Sequence, residues 1–469
     1  MDIKMINKEV NFAYLSFLSI VAALGGFLFG YDTAVISGTI SMVTKQFDLS
    51  PVMQGWYVSS ALIGSILGVS IAGWFSDLIG RKKSMGLSAL FFLISATGCA
   101  LATTMDILVV YRILGGIGIG MISIISPMYI SEIAHEKIRG SLVTLYQLAI
   151  TLGFLGAYLV NFKLLDHSTS APLKGNHLMD LVFIKEVWRG MLGMEAIPAA
   201  IFLIIVFLLP ESPRWLFMKN KENKAVKVLS DIFRSKERVM IQLKDMQQAL
   251  SKQQLSTWET LKTPALFKAV LIGAAIAILG QFMGVNAVLY YGPSIFEQSG
   301  LSGGDALFYQ VLVGGVNVLT TILAFYIIDK VGRKKLVYFG VTGMIVTLLL
   351  ISGYFYTENT LSFPSHFLLI FFLAYIFFTA ISISAVIFVL LSEMYPTKIR
   401  GIAMSISGFS LWVGTFIVGQ LTPWLLETLS PEGTFLLFAI MCLPYMYIIW
   451  KLVPETTGKT LEEIEEFWK

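Results

Sequence analysis

Three charged side chains stand inside long apolar stretches of this sequence: Asp32, Arg112 and Glu195. A charge at the centre of a membrane-spanning helix costs on the order of 2.5–3.5 kcal/mol on insertion scales, so residues kept there mark functional sites by default. Asp32 and Arg112 have opposite signs and fall in the same half of the chain, so they can pair. Beside a guanidinium a carboxylate stays ionised; with Arg112 drawn away and water excluded, the protonated form is favoured. A carboxylate alternating between those surroundings couples proton movement to a change of shape. A static ion pair holding helices together is the alternative. Glu195, near the outer end of its segment, reads as structural or as a further member of a proton relay.

A second set is polar but uncharged: Gln147, Gln281, Asn286, Tyr290, Asn317 and Trp412 stand out against Leu, Ile and Val. Amides and phenols that both donate and accept, beside an aromatic face, suit an uncharged polyhydroxylated ligand. Interhelical hydrogen bonding is the alternative for any one of them. Gln281, Asn286 and Tyr290 line one inward arc only if their helix bends or breaks. Gly280, Gly284 and Gly292-Pro293 supply the weak points.

These residues must be positioned by helices in a bilayer. Of 469 residues, 56% are apolar and only 14% charged, with a mean hydropathy of +0.76. A typical soluble domain is about 25% charged. The composition excludes a water-facing enzyme, a disordered chain and, despite a net charge of +4, a nucleic-acid binder. Cys99 and Cys442 lie in apolar runs, and no metal-ligand spacing, phosphate loop or nucleophile constellation occurs, so neither metal nor cofactor is expected. The four histidines fall in loops or at segment ends.

A crossing needs roughly 20 apolar helical residues. Such stretches occur at 13–37, 53–76, 84–104, 107–129, 141–162 and 190–209, then at 266–291, 307–328, 336–354, 364–391, 401–422 and 431–453. The first is read as a retained span, since no small-residue cleavage site follows it. Connections on one side and the termini, with Lys451 at the end of the last stretch, carry 27 Lys and Arg against five on the other, which puts both termini in the cytoplasm. The expected division is 1–209 as a first six-helix bundle, 210–264 as a cytoplasmic helical linker, 265–453 as a second bundle and 454–469 as a cytoplasmic tail. Ala225, Val226, Val228, Leu229, Ile232 and Phe233 give the linker amphipathic helical spacing. Its basic face could also meet anionic lipid headgroups.

The halves repeat. Ser76-Asp77 through Gly80-Arg81-Lys82-Lys83 recurs as Ile328-Asp329 through Gly332-Arg333-Lys334-Lys335. Ser131-Glu132 through Arg139-Gly140 recurs as Ser392-Glu393 through Arg400-Gly401, and Pro210-Glu211-Ser212 as Pro454-Glu455-Thr456. Three ordered matches mean a duplicated six-helix unit. An even number of spans gives both copies the same topology, the arrangement of the major facilitator superfamily. Asp77 can face a neighbouring helix N-terminus, whose dipole favours negative charge. Arg81 can pair with Glu132 and Arg333 with Glu393, while Arg139 and Arg400 supply further guanidinium forks suited to carboxylates, and Glu211, Arg214 and Asp329 are counted with them in a cytoplasmic gate. If such pairs bridge the halves, they form a cytoplasmic latch.

With these residues in view, the sequence resembles the sugar porter family of the major facilitator superfamily, most closely the branch of bacterial D-xylose–proton symporters. The motifs are Phe29-Gly30-Tyr31-Asp32-Thr33-Ala34-Val35-Ile36-Ser37-Gly38, Arg112 with Gly115-Gly116, Pro210-Glu211-Ser212-Pro213-Arg214-Trp215, Gln281 to Asn286 with Tyr290-Tyr291, and Pro454-Glu455-Thr456. The resemblance implies an all-α membrane protein of twelve transmembrane helices in two pseudo-symmetric bundles. It implies transport of a sugar or polyol by alternating access, with Gln147, Gln281, Asn286 and Tyr290 on the sugar hydroxyls and Phe29, Asn317, Phe388 and Trp412 completing the site. Asp32 and Arg112 match the proton-coupling pair of the symporters. A facilitative uniporter and a transporter-like nutrient sensor are the alternatives, and a short tail disfavours the sensor. Four positions depart from the xylose pattern: Gly280 replaces the first of two glutamines, Ser384 to Phe388 replaces a Gly-Pro and Trp stretch, Leu411 replaces a polar residue and Phe154 a second glutamine. The absence of an Asn-x-Ser/Thr sequon fits a bacterial inner membrane. The expected partners are the sugar, protons and membrane lipid, with the protein acting as a monomer.

Overall fold

The computed structural model describes residues 10–135, 138–170, 175–252, 263–358, 364–395 and 399–456, together with residue 464. Among these, twelve helices are long and apolar enough to cross a membrane. They are span 1 Phe12–Gly38, span 2 Pro51–Ile79, span 3 Arg81–Leu101, span 4 Met105–Ile133, span 5 Arg139–Ser170, span 6 Val187–Val206, span 7 Leu266–Gln298, span 8 Gly303–Ile328, span 9 Arg333–Thr357, span 10 Ser365–Met394, span 11 Arg400–Thr428 and span 12 Ser430–Leu452. The protein is an all-α integral membrane protein.

Most helices run beyond the apolar runs that announce them, and two begin on a side-chain cap. Thr104 accepts from the Ile107 N–H at the start of span 4, and Ser302 from that of Asp305 at span 8. The basic triplets are not loops. Gly80 (φ +104°) and Gly332 (φ +97°) turn the chain, and Arg81 and Arg333 open the helices that follow.

Three spans are interrupted. Span 6 breaks at Met194-Glu195, where Pro198 has no N–H to offer the Met194 carbonyl and the Ile197 N–H takes it instead. Span 7 is two helices, Pro264–Phe282 and Val285–Gln298, separated by Met283 and by Gly284 at φ +91°. A Cβ at Gly284 would lie 2.5–3.0 Å from the Phe438 ring, so both backbone and packing require glycine there. Span 10 carries a π-helical turn at Ala380–Ser384.

The chain divides into two compact units. The first comprises Met1–Asp32, Gly64–Gly153 and Gly193–Leu255; the second comprises Thr33–Ile63, Phe154–Leu192 and Ser256–Lys469. The first unit includes the linker helices Pro213–Met218, Glu222–Ile232 and Lys236–Lys252, with Ala225, Val228, Leu229, Ile232 and Phe233 buried as their spacing predicts and Val226 only half-buried, off the inner face. Within the second unit, the far ends of spans 1, 2 and 5 pack on spans 7 and 11. Ser41 donates to Glu297 at 2.6 Å, Ser59 to Gln420 at 2.7 Å, and the Tyr158 hydroxyl to the Leu289 carbonyl at 2.9 Å.

Candidate functional site

The three intramembrane charges meet in the first unit. Arg112 donates through Nη1 to Asp32 Oδ1, and Asp32, Arg112 and Glu195 are at most 2% exposed. Gly115, three residues beyond Arg112 on span 4, makes room for the carboxylate: a Cβ there would sit 2.7 Å from Asp32 Oδ2 and 2.5 Å from Ser95 Oγ. Glu195 stands within electrostatic range of both partners. It lies at the Pro198 break in the middle of span 6, rather than near its outer end, because that span begins at Val187. One oxygen each of Asp32 and Glu195 is buried without a hydrogen-bond partner among the described residues. Two acids and one cation therefore share a dry site, an imbalance that a single proton removes.

In the second unit the break in span 7 brings amides together. Gln281 Oε1 accepts from Asn286 Nδ2 at 2.6 Å and from the Thr415 hydroxyl at 3.2 Å. Gly414 lets Gln281 lie against span 11, and Trp412, 7% exposed, is on the same helix as Thr415. Tyr290 is buried one turn beyond Asn286. Asn317 is buried on span 8, where its carbonyl accepts the Thr321 hydroxyl at 2.8 Å. Phe388 is 48% exposed, and neither it nor Asn317 hydrogen-bonds the amide cluster. Phe29 and Gln147 are half-buried residues of the first unit.

Residues 18–468 match the profile of the family described as "Sugar (and other) transporter". The arabinose–proton symporter of Bacillus subtilis (strain 168) is 36% identical over 463 residues, covering 99% of this chain and 97% of that one. The glucose transporter GlcP of Staphylococcus epidermidis is 38% identical over 454 residues, covering 96% of each. This chain belongs to the sugar transporter family. A solved structure of the xylose transporter XylE from E. coli, in a partially occluded inward-open conformation, superposes with a TM-score of 0.82 at 33% identity. It covers 96% of this chain and 100% of that one. The fold is thus that of the major facilitator superfamily, and the family is one of transporters rather than enzymes.

In this sugar transporter the repeated motifs build one constellation twice. In the first unit, Arg81 grips Glu132 through two hydrogen bonds (3.1 and 3.0 Å), and the Ser212 hydroxyl donates to the same Glu132 Oε2 at 2.5 Å. In the second, Arg333 grips Glu393 (3.2 and 2.9 Å), and the Thr456 hydroxyl donates to Glu393 Oε2 at 2.6 Å. Arg81 also reaches the Ser76 carbonyl at 3.2 Å, and Arg333 that of Ile328 at 3.4 Å. Every one of these pairs closes inside a single unit; none bridges the two halves as a latch would.

The acid that caps a helix is also not the expected one. Asp77 pairs with Arg81 at 2.7 Å and is 58% exposed. Glu211 Oε1 instead accepts from the backbone N–H groups of Arg81 (2.8 Å) and Lys82 (3.1 Å) at the start of span 3, and from that of its own neighbour Ser212 (2.9 Å). That carboxylate offsets three cations placed at the positive end of a helix dipole. Burial pushes Glu211 above the usual carboxylate range, while its backbone hydrogen bonds pull the other way. Arg139 and Arg214 are exposed, Arg400 donates to the Tyr395 carbonyl at 3.2 Å, and the side chain of Asp329 lies outside the described residues. Thr415 and the roles of the Ser212 and Thr456 hydroxyls were not expected from the sequence, and Gly115 stood there only as part of a motif. The repeated Pro-Glu-Ser/Thr was the available signal for the two hydroxyls.

Proposed function

We propose that the protein carries a sugar or polyol together with a proton across a bacterial inner membrane by alternating access, as a monomer with both termini in the cytoplasm. The observation that carries this reading is the buried Asp32–Arg112 pair with Glu195 beside it. In a uniporter the Asp32–Arg112 pair would only brace spans 1 and 4, and the second buried acid, Glu195, would have no partner to serve. A proton taken up by the triad neutralises its excess charge, and its release restores it. Each event changes how strongly Arg112 holds Asp32, and so how firmly spans 1 and 4 are joined.

Substrate recognition is assigned to Gln281, Asn286, Tyr290, Trp412 and Asn317 in the second unit. Thr415 fixes the Gln281 amide so that its NH2 group is free to face a hydroxyl. Phe29, Gln147 and Phe388 belong to the same assignment. Gly280, Leu411 and Phe154 remove polar atoms that the xylose pattern supplies, which supports a ligand with fewer or differently placed hydroxyls, because sites built to satisfy hydroxyls discriminate sharply. The working division is two six-helix bundles, 1–209 and 265–453, joined by the linker at 210–264 and followed by the tail 454–469. The repeat of motifs at half-chain spacing supports it.

Cytoplasmic gating is assigned to the Arg81–Glu132–Ser212 and Arg333–Glu393–Thr456 constellations with Asp77, Arg139, Glu211, Arg214, Asp329 and Arg400. They act as braces that keep each basic end rigid while it opens and closes. The hydrogen bonds of Ser41, Ser59 and Tyr158 at the opposite end form the counterpart gate. The deciding experiment is uptake of a panel of labelled pentoses, hexoses and inositols into energised vesicles, with and without a protonophore. Accumulation that collapses with the proton gradient is expected, and Asp32→Asn should retain counterflow while losing uphill uptake. Uptake indifferent to the gradient would establish a uniporter instead.

A further inference from the structure

On the basic side of the first unit, a groove of about 990 Å³ opens outward between span 3, the end of span 6 and the linker helix Glu222–Ile232. Its floor is apolar: Leu87, Leu90, Leu203 and Phe207, the last 67% exposed. Its rim carries five lysines, Lys82, Lys83, Lys221, Lys224 and Lys227, against one acid, Glu211. Glu211, held by three backbone N–H groups, offsets one of the five lysines and leaves four in excess on the rim. Lys82 is anchored by its ammonium on the Phe207 carbonyl at 2.7 Å, and Lys221 lies over the Trp215 ring at 5.3 Å. Lys83, Lys224 and Lys227 are exposed.

From this geometry we propose that the groove binds an anionic phospholipid, with the phosphate among the lysines and an acyl chain along Leu87, Leu90, Leu203 and Phe207. Both halves of that ligand are matched. A ring of ammonium groups at a headgroup level attracts phosphate. An exposed Phe and Leu floor continuous with a membrane helix accepts hydrocarbon. A free anion would leave the floor unfilled, and a neutral lipid would leave four cations uncompensated. Because the groove joins the linker to spans 3 and 6, an occupied site ties the linker to the bundle. The proposal rests on the basic side facing an anionic leaflet, and not on proton coupling or on the identity of the sugar.

The test uses the full chain in nanodiscs and in detergent with added lipid. Phosphatidylglycerol retention by native mass spectrometry should fall about tenfold or more in the triple variant Lys83→Gln, Lys224→Gln, Lys227→Gln. Removing three exposed cations of the second unit, Lys268→Gln, Lys330→Gln, Lys335→Gln, should leave retention unchanged. Phosphatidylcholine should not be retained by either. In the unmodified protein, a photoactivatable phosphatidylglycerol should label peptides covering residues 82–90, 203–207 or 221–228. Equal retention by the two triple variants, equal retention of the two lipids, or labelling spread over the membrane surface would overturn the site. The photolabel also decides the matter should the triple variant fail to fold.

Discussion

Removing charges one at a time from the Asp32–Arg112–Glu195 triad should have unequal costs. Asp32→Asn leaves one cation and one carboxylate, Arg112 and Glu195, both 2% exposed and within electrostatic range. Arg112→Met leaves two buried carboxylates and no cation. Breaking a buried pair from one side typically costs about 3–5 kcal/mol, because an uncompensated charge remains. The full amount applies to Arg112→Met, whereas Glu195 takes over part of the role of Asp32 and reduces the cost of Asp32→Asn to about 2 kcal/mol or less. Melting of purified protein should therefore rank wild type above Asp32→Asn and both above Arg112→Met. Adding Asp32→Asn to Arg112→Met should recover part of the loss, since one fewer acid is stranded. An Asp32→Asn protein that melts at or below Arg112→Met, or a double variant that loses further stability, would refute the view that one cation serves two acids.

The twin constellations differ in burial, and their variants should differ accordingly. Glu132→Gln removes the two-hydrogen-bond partner of Arg81, whose side chain is 5% exposed, leaves it only the exposed Asp77 and the Ser76 carbonyl, and should cost about 2–3 kcal/mol. Glu393→Gln acts on a pair 13% and 26% exposed and should cost about 1 kcal/mol. Thermal unfolding ranks them, and the reverse order would contradict the burial argument. Gly280→Ala, whose added Cβ meets Tyr445 and Ile383 at ordinary distances of 3.7 and 3.9 Å, should leave the melting point unchanged or slightly raised. Gly284→Ala should cost several kcal/mol through its backbone angle and the Phe438 ring. Finally, burial raises Glu211 in the folded state, so its contribution favours folding below its ordinary range and declines as pH rises from about 4.5 through the raised value. The melting difference between Glu211→Gln and wild type should thus shift in favour of the variant over that rise; a shift the other way would mean the backbone hydrogen bonds outweigh burial.

Twelve crossings and a duplicated architecture were legible because hydropathy and repeated motifs are local or nearly so. The Asp32–Arg112 pair was legible for the same reason: few charges sit in apolar runs, and opposite signs find each other. What escaped depends on how segments return. Nothing in the sequence says that the stretch after span 6 folds back to span 3, so Asp77 looked like the helix-capping acid when Glu211 holds that place. Glu195 looked peripheral because the apolar run begins at 190, whereas the helix begins at Val187 and ends at Val206, which puts Glu195 near its middle. The pairs Arg81–Glu132 and Arg333–Glu393 were legible from the repeated motifs, but not that each closes within its own half, where Ser212 and Thr456 share the same carboxylate, instead of latching one half to the other.

The interruption of span 7 exposes the Met283 carbonyl, and the Tyr375 hydroxyl of span 10 donates to it at 2.7 Å. In hydrocarbon a bare carbonyl costs several kcal/mol, so a pivot there can swing only as far as its tether follows. Tyr375 therefore yokes the two broken helices of the second unit, and a phenylalanine in its place would loosen a joint rather than erase a binding contact.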